Sequence, residues 1–119
     1  METKELVSKL LSYMGKGENL KAEEELYADD VASYEQDGTM TKGKAAAIAK
    51  TKAFLDTVET FHGGGVEQSY VSPDSFLLTI EMDFTPKGGQ RTKMKEYGFY
   101  NVKNGKVSEE HFFSQPFVA

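Results

Sequence analysis

Between Lys4 and Met14 the apolar residues Leu6, Val7, Leu10, Leu11 and Met14 recur at the three- and four-residue spacing of one helix face. Thr3 stands where a capping side chain belongs and Gly15 and Gly17 follow as a stop, so the spacing predicts an amphipathic first helix. A shorter helix is predicted from a cap at Asn19 to about Ala28. Glu23 and Glu24 lie in its first turn, where the positive end of the helix dipole favours acid, and Leu20, Leu26 and Tyr27 form its apolar side. The period then falls to two: from Asp30 to Gln36, Val31, Ser33 and Glu35 share one face of a strand while Ala32, Tyr34 and Gln36 share the other. Thr41 is placed to cap a third helix running to about Glu59, with Ala45, Ile48, Ala49, Leu55 and Val58 on its stripe.

From Thr60 onward the pattern is one of strands and turns: Thr60 to Ser72, Phe76 to Thr85, Arg91 to Lys103 and Val107 to Gln115. Asn104–Gly105 is the dipeptide of a two-residue hairpin with positive φ, and the run Gly63 to Gly65 predicts a bulge or sharp bend. In the strand Phe76 to Phe84 every second residue is apolar, which assigns one face to the core and leaves Leu77, Thr79, Glu81 and Asp83 on the other. Helices gathered early against an antiparallel sheet make an α+β layer fold.

At 119 residues the chain is expected to form a single domain, residues 1–119, and its aromatic content is sufficient for one core. A net charge of −5 repels phosphate backbones and anionic membrane surfaces, so neither nucleic acid nor membrane is an expected partner. Cysteine is absent, which removes disulfides, thiolate metal sites and a cysteine nucleophile. There is no apolar run of about 18 residues, and Glu2 and Glu5 stand where a signal peptide would be basic, so a cytoplasmic protein is the expectation. The segment Gly38 to Lys44 nearly spells a phosphate-binding loop but fails at Ala45, where a magnesium-binding hydroxyl belongs, and the triple glycine lacks dinucleotide spacing. The sequence calls for no cofactor and, with no paired-histidine spacing, no metal.

The segments LYADDV before the first strand, DGTMTKGKAAAIAK into the third helix and YNVKNGKVSEEHFF in the last hairpin, taken with the order of elements, resemble the nuclear transport factor 2-like superfamily, and within it the SnoaL-like branch. The resemblance implies a curved sheet wrapped on the long helix as a cone with a ligand cavity, and a homodimer formed across the outer sheet face. Compared with the ketosteroid isomerase pattern, a distant relation, Glu35 takes the position of the general-base aspartate and Tyr13 is the nearest match to the oxyanion tyrosine. The second oxyanion acid falls on or near Gly98, which offers no side-chain donor, so an isomerase of that kind is disfavoured.

Strand parity puts Met94, Glu96, Gly98, Tyr100 and Val102 on the core face, and Ser33 on the same side as Glu35. On the last strand the family comparison turns Ser108, Glu110, Phe112 and Ser114 inward, whereas the alternative parity turns Val107, Glu109, His111 and Phe113 inward; a bulge would exchange the two. Glu35, Glu96 and one of Glu109 or Glu110 are thus candidates to converge, with His62 as a fourth member and Tyr13 as an orienting group. Ser33, Tyr100, Glu110 and Phe112 are candidate ligand contacts. Carboxyls gathered in an apolar cavity cannot all ionise cheaply, so at least one should titrate near neutrality, as a general acid or base requires. In the competing reading the glutamates are solvated at a wide mouth or paired with Lys93, Lys95 or Arg91. Two functions follow: proton transfer on a small, mostly apolar molecule (isomerisation, cyclisation, dehydration or hydrolysis), or a binding or dimerisation module without chemistry.

Overall fold

The structure, a computed structural model, describes residues 1–114; Gln115, the expected end of the last strand, lies outside the described residues. Three helices and six strands follow in the order α1 (Thr3–Gly15), α2 (Asn19–Leu26), β1 (Tyr27–Tyr34), β2 (Met40–Lys42), α3 (Lys44–Asp56), β3 (Val58–Val71), β4 (Ser75–Pro86), β5 (Thr92–Lys103) and β6 (Lys106–Ser114). The strands form one sheet in the order β2-β1-β6-β5-β4-β3, antiparallel except for the parallel pair β1–β6. The expected α+β architecture is present, and the meander from β3 to β6 follows the alternation and the turns. Asn104 and Gly105 have φ of 54° and 74°, the conformation of the two-residue hairpin they spell.

The core lies between the helices and the inner sheet face. Phe76, Leu78 and Ile80 of β4 meet Leu6, Val7 and Leu10 of α1, together with Leu26 and Val31. Each such side chain contributes about 1.5–3 kcal/mol when fully buried, so the early helices are held mainly by this face. No helix among the described residues is long and apolar enough to cross a membrane.

Several boundaries differ from the sequence pattern. Thr3 and Asn19, expected as caps, are each the first residue of their helix and neither helix has a side-chain cap bond; the Thr3 hydroxyl donates to the Pro73 carbonyl instead. The second helix ends at Leu26, two residues early, because Tyr27 pairs with Val107 of the last strand and so begins β1. Thr41 does not cap α3; it sits in β2, where residues 40–42 pair with residues 32–34 of β1, and Gly43 precedes the helix with no side-chain cap bond. Three residues are too few to show alternation, and the free edge of β1 supplies the pairing. The third helix stops at Asp56, and its inward side matches the expected stripe only in part: Ala45 and Ala49 are exposed, Leu55 and the following Val58 line the cavity, and Ala47, Lys50, Thr51 and Phe54 also face the interior or line the cavity.

The edge strand β3 bends through three register shifts, at Glu59, His62 and Ser69. Gly64 presses against β4 just after the shift at His62, and a Cβ there would overlap the Glu81 carbonyl oxygen, a backbone atom with nowhere to go. At Gly65 a Cβ would meet nothing within 4 Å. Replacing Gly64 by Ala should therefore destabilise the fold by about 1–3 kcal/mol, and Gly65→Ala should stay within about 0.5 kcal/mol of the parent, both read as shifts of the urea midpoint.

Candidate functional site

The parallel β1–β6 pair sets Ser33 opposite Glu110. The Ser33 hydroxyl donates to Glu110 Oε2 at 2.7 Å and the Tyr27 hydroxyl donates to Oε1, so a carboxyl only 3% exposed has a donor on each oxygen. From α3, Lys50 Nζ donates to Ser33 Oγ at 2.5 Å and to Glu35 Oε1 at 2.7 Å. The next residue, Thr51, donates to Glu23 Oε2 at 2.6 Å. Glu23 Oε1 is buried without a hydrogen-bond partner among the described residues.

Gly98 has its use here. Where a Cβ would sit, the Tyr100 ring passes within 2.7 Å and its hydroxyl oxygen within 2.8 Å, so only glycine lets the ring fold back along β5 toward Glu96. The ring is held there by stacking on Phe76 at 4.6 Å and by an edge contact with Phe112 at 6.1 Å between centroids.

These groups border a cavity of about 1000 Å³ whose apolar wall includes Leu10 and Met14 of α1 and Val66, Ile80, Met82 and Met94 of the sheet. Its polar lining includes Glu23, Tyr27, Glu35, Lys50, Glu96 and Tyr100. Glu35, Glu96 and Phe112 also border a second hollow of about 340 Å³ beside Gln36 and Ser114.

Burial is the first cause of every large shift in acidity. It raises Glu96 to about 7, helped by the charges of Glu35 and Glu110 and opposed by Lys50. It raises Glu23 to about 7 as well, against the Thr51 hydrogen bond, with Glu110 adding to the rise and Lys50 opposing it. Glu110 is also raised by burial, although its Tyr27 and Ser33 donors and Lys50 pull the other way. Tyr100 is held well above the ordinary tyrosine value by burial and by the charges of Glu110, Glu96 and Glu23, so its hydroxyl keeps its proton.

Of the residues singled out in the sequence, Glu35, Glu96, Tyr100 and Phe112 line the cavity. Ser33 and Glu110 lie behind that lining and support it through Tyr27 and Lys50. Tyr13 is directed away, donating to Glu25 at 2.8 Å on α2. His62 is exposed at a bulge of β3 with its Nε2 2.7 Å from the Thr85 hydroxyl, outside the lining. Both parities of the last strand hold, on either side of a bulge at Ser108: Val107 enters the core, and Glu110 and Phe112 are again inward. Lys50 and Glu23 escaped the sequence reading. The spacing of Ala47, Lys50, Thr51 and Phe54 is that of a helix face, but two of the four are polar and conceal it. Among the described residues no three His, Cys, Asp or Glu side chains group so as to hold a metal ion.

A carboxyl whose acidity is weakened by folding binds its proton more tightly in the native than in the unfolded chain. Between about 4.5, its unfolded value, and about 7, the native state therefore carries the extra proton and stability falls as pH rises. The urea midpoint of the parent should rise as pH is lowered from 7.5 to about 5, and Glu23→Gln should flatten this slope; an unchanged slope in the variant would contradict the assignment.

The SnoaL-like domain model matches residues 1–114. A structure from Mesorhizobium loti, named as a proposed SnoaL-like polyketide cyclase with carbohydrate phosphatase in brackets, is 40% identical over 95% of this chain and 99% of that one, with a TM-score of 0.86. A protein of unknown function with a cystatin-like fold from Xanthomonas campestris is 17% identical over 98% of this chain and 92% of that one, with a TM-score of 0.77. An NTF2-like protein of unknown function from Burkholderia pseudomallei is 13% identical over 94% and 89%, with a TM-score of 0.73; these two show the fold. No curated protein matches the chain. With a helix-lined cone, its cavity and a family match spanning nearly every residue, the chain belongs to the SnoaL-like domain family of the NTF2-like superfamily.

Proposed function

We propose that the chain is a cytoplasmic protein that binds a small, mostly apolar molecule in the large cavity and that Glu96 transfers a proton on it. The observation that carries this reading is the environment of Glu96: a carboxyl with no hydrogen-bond partner among the described residues, on the wall of an apolar cavity, raised to about 7. At neutral pH such a group is present in both forms and serves as base or acid. Glu35, expected as the base, is engaged by Lys50 and acts instead through its charge on Glu96. The Tyr100 hydroxyl, protonated and without a protein acceptor among the described residues, is the donor for a developing oxyanion and replaces the acid missing at Gly98.

In the step this arrangement supports, the Glu96 carboxylate takes a proton from carbon beside a carbonyl, the C–H electron pair moves into the enolate, and Tyr100 hydrogen-bonds its oxygen. Return of the proton to another carbon isomerises the molecule; departure of a neighbouring hydroxyl with the proton dehydrates it. The name of the Mesorhizobium loti relative, a proposed polyketide cyclase, is in keeping with enolate chemistry. A binding module without turnover is the second reading, favoured by the commitment of Glu35 and Glu110 to protein partners.

Deuterium uptake beside the carbonyl of bicyclic ketones, followed by NMR in D2O, tests the assignment. The rate should rise with pH through about 7, and Glu96→Gln should lower it by about 10²–10⁴ while an apolar fluorescent probe still binds; equal rates in parent and variant would overturn it.

We also propose that the outer sheet face pairs with a second copy. Leu77, Phe99 and the stacked Tyr34–His111 rings, 4.6 Å apart, lie on the face opposite the helices, with Phe113 43% exposed beside them. Sedimentation at micromolar concentration should show a dimer, and Phe113→Glu should shift it toward monomer; a monomeric parent would count against this face.

A further inference from the structure

Glu23 has no part in the proton transfer assigned to Glu96. It is 8% exposed, forms part of the cavity wall, and spends one oxygen on Thr51 while Oε1 has no donor among the described residues. A buried carboxyl left half-satisfied is costly, and such a cost is tolerated where a ligand completes the site.

The charge balance around it indicates the kind of ligand. Carboxyls of Glu23, Glu35 and Glu96 line the cavity, with the exposed Glu59 and Glu81 also in the lining, and Glu110 lies behind the wall. The cations of the lining are Lys50 and, at the rim, the exposed Lys16. Lys50 spends its hydrogen bonds on Glu35 and Ser33, so the inner carboxyls feel its charge but have no cation bonded to them. Tyr27, Phe54, Tyr100 and Phe112 add aromatic surface, which accommodates both an apolar body and a positive charge. We propose that the inner end of this cavity takes the ammonium group of a small amine with an apolar body, seated on Glu23. The proposal rests on the cavity being a ligand site and names the class of molecule that enters it.

The groups facing Glu23 are Thr51 and Lys50 from α3, Tyr27 from β1, Tyr100 from β5 and Glu110 from β6. An ammonium supplies the donor that Oε1 lacks and sets a positive charge against both glutamates. Because Glu23 titrates at about 7, such a ligand displaces its proton, and affinity rises with pH until the carboxyl is fully ionised. A neutral oxygen acceptor would do the reverse, binding the protonated carboxyl and weakening over the same range.

The probes are three molecules on one cage: 1-aminoadamantane, 1-adamantanol and adamantane-1-carboxylate, titrated calorimetrically into the full chain. The amine stays protonated throughout, as aliphatic amines do below about pH 10. It should bind more tightly than the alcohol, gain about tenfold between pH 6 and pH 8, and release protons at pH 7, seen as a binding heat that depends on the buffer. Glu23→Gln should cost the amine about 10–100-fold and leave the alcohol unchanged. Alcohol binding equal to or tighter than amine binding, or amine affinity independent of pH, would overturn the ammonium assignment while leaving the ligand cavity in place. Failure of all three probes to bind would overturn both.

Discussion

Glu110 is buried between the first and last strands of the sheet, and its tolerance there depends on the two hydroxyls that Tyr27 and Ser33 of β1 direct onto it. A buried carboxyl left without its hydrogen-bond donors costs about 1–3 kcal/mol, and more when it is charged, so β1 cannot leave β6 or slip in register without exposing that cost. The same contact aligns the rest of the site. Ser33 Oγ accepts from Lys50, which fixes the rotation of α3, and the rotation of α3 brings Thr51 onto Glu23. One chain of contacts thus runs from the second helix through the third to the paired strands β1 and β6.

This chain also sets the electrostatics of the cavity. Glu110 and Glu35 project negative charge onto Glu96, and Lys50 offsets only part of it because its own donors are already engaged. Burial then raises the pKa of Glu96 into the neutral range, where one group can both accept and return a proton. Tyr100 completes the arrangement from the same strand. Its ring lies over Gly98, and the absence of a side chain at one position places a hydroxyl from another.

The fold was legible because it follows from periodicity and turn chemistry. The unbroken apolar face of Phe76 to Phe84, the Asn104–Gly105 hairpin and the α1 stripe each express a local rule, and each appears in the structure as the rule requires. The site was legible where a polar residue sits on a strand of settled parity, as Glu96 and Glu35 do. It was not legible on α3, because Lys50 and Thr51 occupy the buried face of a helix as polar residues, and a hydrophobic pattern assigns such residues to solvent.

Tyr13 and His62 show the other limit. Each has chemistry suited to the cavity, but Tyr13 donates to Glu25 across α1 and α2, and a bulge directs His62 to Thr85. The last strand unites both lessons: two parities fit its sequence, and the bulge at Ser108 satisfies one before it and the other after. The sequence by itself determined the three helices and every strand but the short β2, where the main turns fall and which face of β4 is core, since these depend on neighbours a few residues apart. Which carboxyls are paired, which are left to titrate near 7 and which face the cavity was decided by the tertiary structure. Those properties arise from burial and from charges brought together across long stretches of chain, as Glu110 meets Tyr27, and local spacing carries no record of them.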